Sequence, residues 1–183
     1  MAGNNGKRFE GNFKKSALNQ GLFFERFIDS NKFNFGEGTR FTPQNPSDCF
    51  IFDTECLYYI ELKSTIGTSI SFNQPCTEKG KGTYMIKPHQ VNALLERSNY
   101  PNVYCMLILD YADRVTKGGT TIEGGTYAIP IKTFVDWANS VDKKSINLND
   151  CQEIGIQVPR KRKKINYTYD IKTVLDVIKQ CQV

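Results

Sequence analysis

The chain has one histidine and one tryptophan in 183 residues, and its six cysteines, at 49, 56, 76, 105, 151 and 181, form no C-x-x-C pair. With His89 as the sole imidazole, a Cys/His zinc site has almost nothing to be built from. A Ser-His-Asp hydrolase could use only that histidine, and the sequence contains no G-x-S-x-G elbow. Long apolar runs are also missing: "VYCMLIL" at 103–109 falls far short of the roughly 20 residues that a membrane span requires. The first twenty residues are polar and basic, without the apolar core of a secretory signal. The expectation is a cytoplasmic protein with reduced cysteines, those in apolar strands serving as small buried hydrophobes. Hydrolytic chemistry here would have to rest on carboxylates, lysine and a metal.

The charge is +5, and its placement matters more than its size. Lys7, Arg8, Lys14 and Lys15 cluster near the start, Lys79, Lys81 and Lys87 in the middle, and Arg160, Lys161, Arg162, Lys163 and Lys164 near the end. Clustered cations favour a polyanion through counterion release; a solvated loop is the alternative for any one of them.

Apolar periodicity places the elements. Phe9, Phe13 and Ala17, extended by Leu18, form the stripe of an amphipathic helix over 6–19, with Glu10 beside it. Residues 22–29 read as a strand, 30–41 as a long turn or protruding loop, and 73–82 as a flexible loop. Pro88 suits the first turn of a helix buried through Val91, Leu94 and Leu95. "NVYCMLILDY" and "TYAIPI" are strands; Phe134, Trp137, Ala138 and Val141 mark a further helix. A loop and the basic run precede a last helix, capped by Asp170 and buried through Ile171, Val174, Leu175 and Ile178. The pattern is a single mixed α/β domain over 1–183.

The stretch "SDCFIFDTECLYYIELKST", 47–65, carries the chemistry. In a strand alternate side chains share a face, so Glu61 and Lys63 project together while Ile60 and Leu62 face away. A hairpin turning at 53–56 returns Asp48 to Glu61. Two carboxylates and an ammonium at one sheet edge suit Mg²⁺, which takes one or two carboxylates and keeps its waters. Such an ion polarises a phosphodiester and acidifies water. E-x-K alone is weak, since nine glutamates and 17 lysines give about 0.8 chance occurrences. Asp142-Lys143-Lys144 and Asp170-Ile171-Lys172 fit D/E-x-K as well, but no acid-bearing strand precedes either. A structural salt pair on a sheet edge is the competing reading.

The order Asp48, hairpin, Glu61-Leu62-Lys63 resembles the PD-(D/E)XK nuclease signature, with Pro46 two residues before the aspartate. More specifically, "GKRFE", "ELKST" followed by "SISF", "IKPHQVNALL", the strand 103–109, "TYAIPI" and "INYTYDI" together resemble the RecU family of Holliday-junction resolvases over most of the chain. The resemblance implies a restriction-endonuclease-like fold, a mixed central sheet flanked by helices. It implies Asp48 and Glu61 as metal carboxylates, Lys63 as transition-state lysine, Gln90 near the metal and Glu10 near the metal or its water shell. Mg²⁺ is the implied cofactor, with Mn²⁺ able to substitute and no small-molecule cofactor. The implied substrate is DNA, preferentially four-way junctions, and the state a homodimer, in a bacterial cell or phage-infected host. His89 would be a structural or DNA-contacting neighbour, and Phe33, Phe35 and Arg40 on 30–41 could stack or wedge at the crossover.

Three departures stand out. Pro46 occupies the place of a threonine that contributes to the family's metal site, 30–41 is much shorter than the family's stalk, and 73–82 looks like an insertion. A nuclease for other DNA structures and a non-catalytic DNA-binding recombination protein are the competing functions. Retention of Asp48, Glu61 and Lys63 together speaks against the latter.

Overall fold

The computed structural model describes residues 2–27 and 45–181, with side chains from residue 5. Phe33, Phe35 and Arg40, and with them the 30–41 loop, lie outside the described residues. In chain order the elements are α1 (Ala2–Asn19), β1 (Phe23–Arg26), β2 (Cys49–Phe52), β3 (Leu57–Thr65), β4 (Ser69–Ser71), α2 (Pro88–Arg97), β5 (Val103–Tyr111), β6 (Arg114–Val115), β7 (Thr121–Ile122), β8 (Gly125–Pro130), α3 (Ile131–Ser140), β9 (Ser145–Asn147), α4 (Leu148–Ile154), β10 (Ile156–Gln157), β11 (Arg160–Lys163), β12 (Asn166–Tyr169) and α5 (Ile171–Cys181).

Six strands form a mixed sheet in the order β1-β2-β3-β5-β8-β10. Only β3 and β5 run parallel, and the connection that such a pair needs carries α2. Alternation along β3 divides two cores. Tyr58, Ile60 and Leu62 join Phe9, Phe13 and Ala17 of α1 and Val174, Leu175 and Ile178 of α5 on one face. Leu107 and Leu109 of β5 pack with Val91 and Leu94 of α2 and Phe134 and Trp137 of α3 on the other. Glu61 and Lys63 belong to this second face. Among the described residues no helix is long and apolar enough to cross a membrane.

Several expectations need correction. Leu18 is 49% exposed: the stripe runs Phe9, Phe13, Ala17 at four-residue steps, and the next position turns about 100° away. The 73–82 stretch is irregular chain, as expected, but its start is tethered to the body of the protein. Asn73 Nδ2 donates to Pro75 O, Gln74 Nε2 donates to Ala138 O (2.5 Å) and Val141 O (2.9 Å), and Cys76 is buried. The basic run, to which the sequence pattern assigned no element, is strand β11, paired antiparallel with β12 from Arg160↔Tyr169 to Lys163↔Asn166.

Arg160 is the correction with functional weight. Its guanidinium donates to Asp113 Oδ1 (2.6 Å), Asp110 Oδ1 (3.2 Å) and Tyr111 O (3.1 Å), and it stacks over Tyr167. With its side chain only 10% exposed, it holds the hairpin to β5, and its guanidinium is turned to these internal partners rather than to a phosphate. Burial raises the Asp110 pKa, opposed by Thr126 and Arg160. Removing the arginine would strand a buried carboxylate, so Arg160→Met is expected to cost about 3–5 kcal/mol. Lys161→Met, at an exposed position, should stay within about 0.5 kcal/mol of wild type. Urea unfolding of both variants checks this; equal, small losses would mean that the cluster is not a stabilising tether.

Candidate active site

The site begins with the turn that joins β2 to β3. Asp53 Oδ1 accepts from the backbone N–H of Cys56 (2.9 Å) and Glu55 (3.3 Å), Oδ2 accepts from the Tyr58 hydroxyl (2.9 Å), and Lys179 pairs with it at 2.7 Å. Burial alone would raise the Asp53 pKa; these donors outweigh it and hold the carboxyl below its ordinary value. Thr54 takes the unusual positive φ, 79°, that this tight connection demands. The turn sets the register Cys49↔Ile60, and one further step places Asp48 opposite Glu61.

Asp48 ends the bend at 46–48, where the Ser47 hydroxyl donates to Cys49 O (2.9 Å). Its own carbonyl accepts from Phe27 N–H (3.0 Å), and its Oδ2 accepts from Leu62 N–H (2.8 Å). Glu61 is fully buried. Its Oε1 accepts from both Lys63 Nζ and Gln90 Nε2, while Oε2 has no hydrogen-bond partner among the described residues. Gln90 is oriented by its place in the first turn of α2: its Oε1 accepts from Lys87 N–H (3.0 Å), the backbone half of a capping box. Asp48, Glu61, Lys63 and Gln90 are thus gathered at one sheet edge.

Electrostatics here are dominated by burial. Desolvation pushes the Glu61 carboxyl up to about 7; Lys63 opposes the shift and Asp48 reinforces it. His89 is exposed, and desolvation with the charges of Lys87 and Lys63 lowers its pKa, which leaves it neutral at pH 7. Among the described residues no three His, Cys, Asp or Glu side chains form a metal cage. The donor set is two carboxylates, one of whose oxygens, Glu61 Oε2, is buried and without a hydrogen-bond partner among the described residues. That fits a hard cation that keeps most of its waters, Mg²⁺ or Mn²⁺, and not a metal needing a full protein shell.

Glu10 stands on the other side of Asp48. It pairs with Arg26 at 2.8 Å, and both line a cavity of about 110 Å³ with Lys7, Lys14, Phe24 and Asp48. Arg26 is the residue that the sequence reading missed; strand alternation puts it on the same face as Phe24, towards α1, and this was the available signal. Among the cations expected to meet DNA, Lys7, Arg8, Lys14, Lys15, Lys79, Lys81 and Lys87 are exposed, as are Lys161, Arg162, Lys163 and Lys164. Arg160 is not, for the reason given above.

The Glu61 shift has a stability consequence. Unfolded, the carboxyl ionises near 4.5; folded, near 7. Between these values the native state keeps a proton that the unfolded state has lost, so stability falls as pH rises through this window and stays lower above it. In EDTA, Glu61→Gln is therefore expected to exceed wild type by about 3 kcal/mol at pH 8, with the gap closing towards pH 4.5. Denaturant titrations across pH measure it, and a gap independent of pH would refute the assignment.

No family model matches the chain. A curated relative, the SPbeta prophage-derived uncharacterized protein YotM of Bacillus subtilis (strain 168), is 34% identical over 180 residues, which cover 92% of this chain and 83% of the relative. Among solved structures, the chain is similar to the 1.6 Å structure of Archaeoglobus fulgidus Hjc, a Holliday junction resolvase from an archaeal hyperthermophile. The TM-score is 0.50 at 12% identity, over 83% of this chain and 95% of that one. The second likeness establishes the architecture, a mixed central sheet flanked by helices as in the restriction-endonuclease-like fold; by the first, the chain belongs to the family of YotM.

Proposed function

We propose that this chain is a Mg²⁺-dependent endodeoxyribonuclease of the RecU type, which resolves four-way DNA junctions by paired, symmetric nicks. The observation that carries the reading is the buried Glu61 carboxylate, shared between Lys63 and Gln90, with its second oxygen unpartnered beside Asp48. A structural salt pair does not need a second carboxylate brought against the first, because Asp48 beside the buried Glu61 opposes its ionisation. The resolvase named among the structural neighbours shares the fold, and the prophage relative is consistent with a phage-borne gene.

Asp48 and Glu61 would hold the ion, which when bound neutralises charge on the phosphate and acidifies a water. Glu61 must be ionised for this, so its raised pKa couples site occupancy to pH. Lys63, only 16% exposed and already placed on Glu61 Oε1, orients the water and meets the negative charge that grows on the phosphate. Gln90 keeps the Glu61 carboxylate in one orientation, itself held by the start of α2. Glu10, close to Asp48 and paired with Arg26, is placed to steady the water shell. Symmetric cuts call for two such sites, which a two-fold homodimer supplies. Action in the cytoplasm would keep the chain's six thiols reduced.

The test is nicking of a mobile four-way junction and of a matched linear duplex, with Mg²⁺, Mn²⁺ or EDTA. Paired metal-dependent nicks near the junction centre are expected, with Lys63→Ala and Asp48→Asn each slowing them at least about 100-fold. Nicking of duplex and junction alike would move the assignment to a nuclease of broader structure. Tight junction binding without cleavage in either metal would make the protein a binding module and the reading wrong.

A further inference from the structure

The β11–β12 hairpin breaks two local rules at once. Its register, Lys163↔Asn166, leaves Lys164 and Ile165 as a two-residue loop, where Asn-Gly or Gly-X costs least. Lys164 instead sits at φ 55°, and Ile165 is 69% exposed at the tip. Arg162 Nε donates to Lys164 O (3.0 Å) and steadies the turn, yet Ile165 stays uncovered, and a local violation of this kind points to use by something outside the chain. From Arg160 to Tyr169 there are five cations and no acid, so the use calls for a polyanion.

Root and tip are built differently. At the root, Arg160 and the Tyr167 hydroxyl (2.6 Å) both bond Asp113. Tyr169 N–H donates to Ser16 Oγ (3.1 Å), and Gln20 Nε2 donates to Tyr169 O (2.7 Å). Beyond the root, Lys161, Arg162, Lys163, Lys164, Ile165 and Asn166 are all exposed. The root also lies against the end of β3, the strand that carries Glu61 and Lys63. Tyr167 and Tyr169 share a small cavity with Asn5 and Arg8 of α1 and with Ser64 and Thr65, the two residues that follow Lys63.

We propose that this hairpin is a rigidly rooted cationic ribbon that enters a groove of the duplex arm beside the cleavage site, with Lys161 and Lys163 on phosphates and Ile165 wedged against a base step. An antiparallel ribbon is a known fit for a DNA groove. Lys161 and Lys163 share one side of β11 by strand alternation. A branched apolar side chain at the tip suits the minor groove, where such wedges part stacked bases and bend the helix. The substrate class rests on the nuclease reading above; the ribbon's own behaviour does not need cleavage to be observed.

The test uses the full chain in EDTA, where no cutting complicates binding. Duplexes and four-way junctions carry 2-aminopurine walked singly along one arm, and affinity is followed against salt. Wild type is expected to brighten the probe at one step. Ile165→Ser should abolish that rise and Ile165→Leu keep it, with thermal melts of both unchanged because the position is exposed. Lys161→Ser/Lys163→Ser should lower the salt slope by about 2, at about 0.9 per phosphate contact. Unchanged brightness and slope in these variants would overturn the ribbon, even if wild type nicks junctions. Retained probe effects in a protein that never nicks would uphold the ribbon and sink only the nuclease. Variant-sensitive binding to anionic vesicles, with DNA binding unaffected, would reassign the hairpin to a lipid surface.

Discussion

The pairing of β2 with β3 is the constraint from which the rest of the site follows. Side chains alternate with a period of two, so a one-residue slip would send Glu61 and Lys63 to the α1 face and bring Ile60 to the other. Three features hold the register. Asp53 collects four donors at the turn; Cys49 and Ile51 are locked into the core beside Ile60; Tyr58 stacks on Tyr104 of β5 with ring centroids 5.3 Å apart. None of the three touches the proposed chemistry. They stabilise a frame in which a carboxylate is kept where it is costly to ionise.

That frame brings both faces of the sheet to one edge. From the second face α2 contributes Gln90, whose amide is oriented by the helix's own first turn. From the first face α1 and β1 contribute Glu10 and Arg26, with Lys7 and Lys14 around the same cavity. Asp48 lies between, past the end of β2, where its carboxylate takes the place of a strand partner for Leu62 N–H. This explains why it can border Glu61 and the Glu10 cavity at once: it is no longer confined to one side of a pleat.

Where a regular period met a buried surface, the sequence could be read. The alternation around Glu61 and Lys63, the stripes of α1, α2, α3 and α5, and Pro88 at the start of α2 were all legible because burial acts on spacing. The basic run was not. Charge composition argues for solvent and loop, whereas Arg160 is bonded inside the molecule to Asp110 and Asp113, residues fifty and forty-seven positions earlier. Cross-strand partners at that separation leave no mark on local pattern. Short elements such as β9 and α4, which cover only 145–154, were lost for the same reason. The glycines and lysines of 73–82 made it legible as a loop, but not its anchors, Asn73, Gln74 and Cys76, each a single residue.

The cations divide by burial, and that division bears on function more than the net charge of +5 does. Arg160, Lys179 and Lys63 are at most 24% exposed and each is paired with an acid, so they shape the fold and the site. Lys7, Lys14 and Lys15 on α1, Lys79 and Lys81 in the tethered loop, and Lys161 to Lys164 on the hairpin remain in solvent. Solvated cations act through long-range attraction that salt screens within about 8–10 Å, whereas the buried ones are screened far less. A polyanion drawn in by the first group would meet only Lys63 of the second at the candidate site, since Arg160 and Lys179 are held by Asp110, Asp113 and Asp53. The electrostatic work of approach and the chemistry proposed at Glu61 would then be separable, with salt governing one and protonation the other.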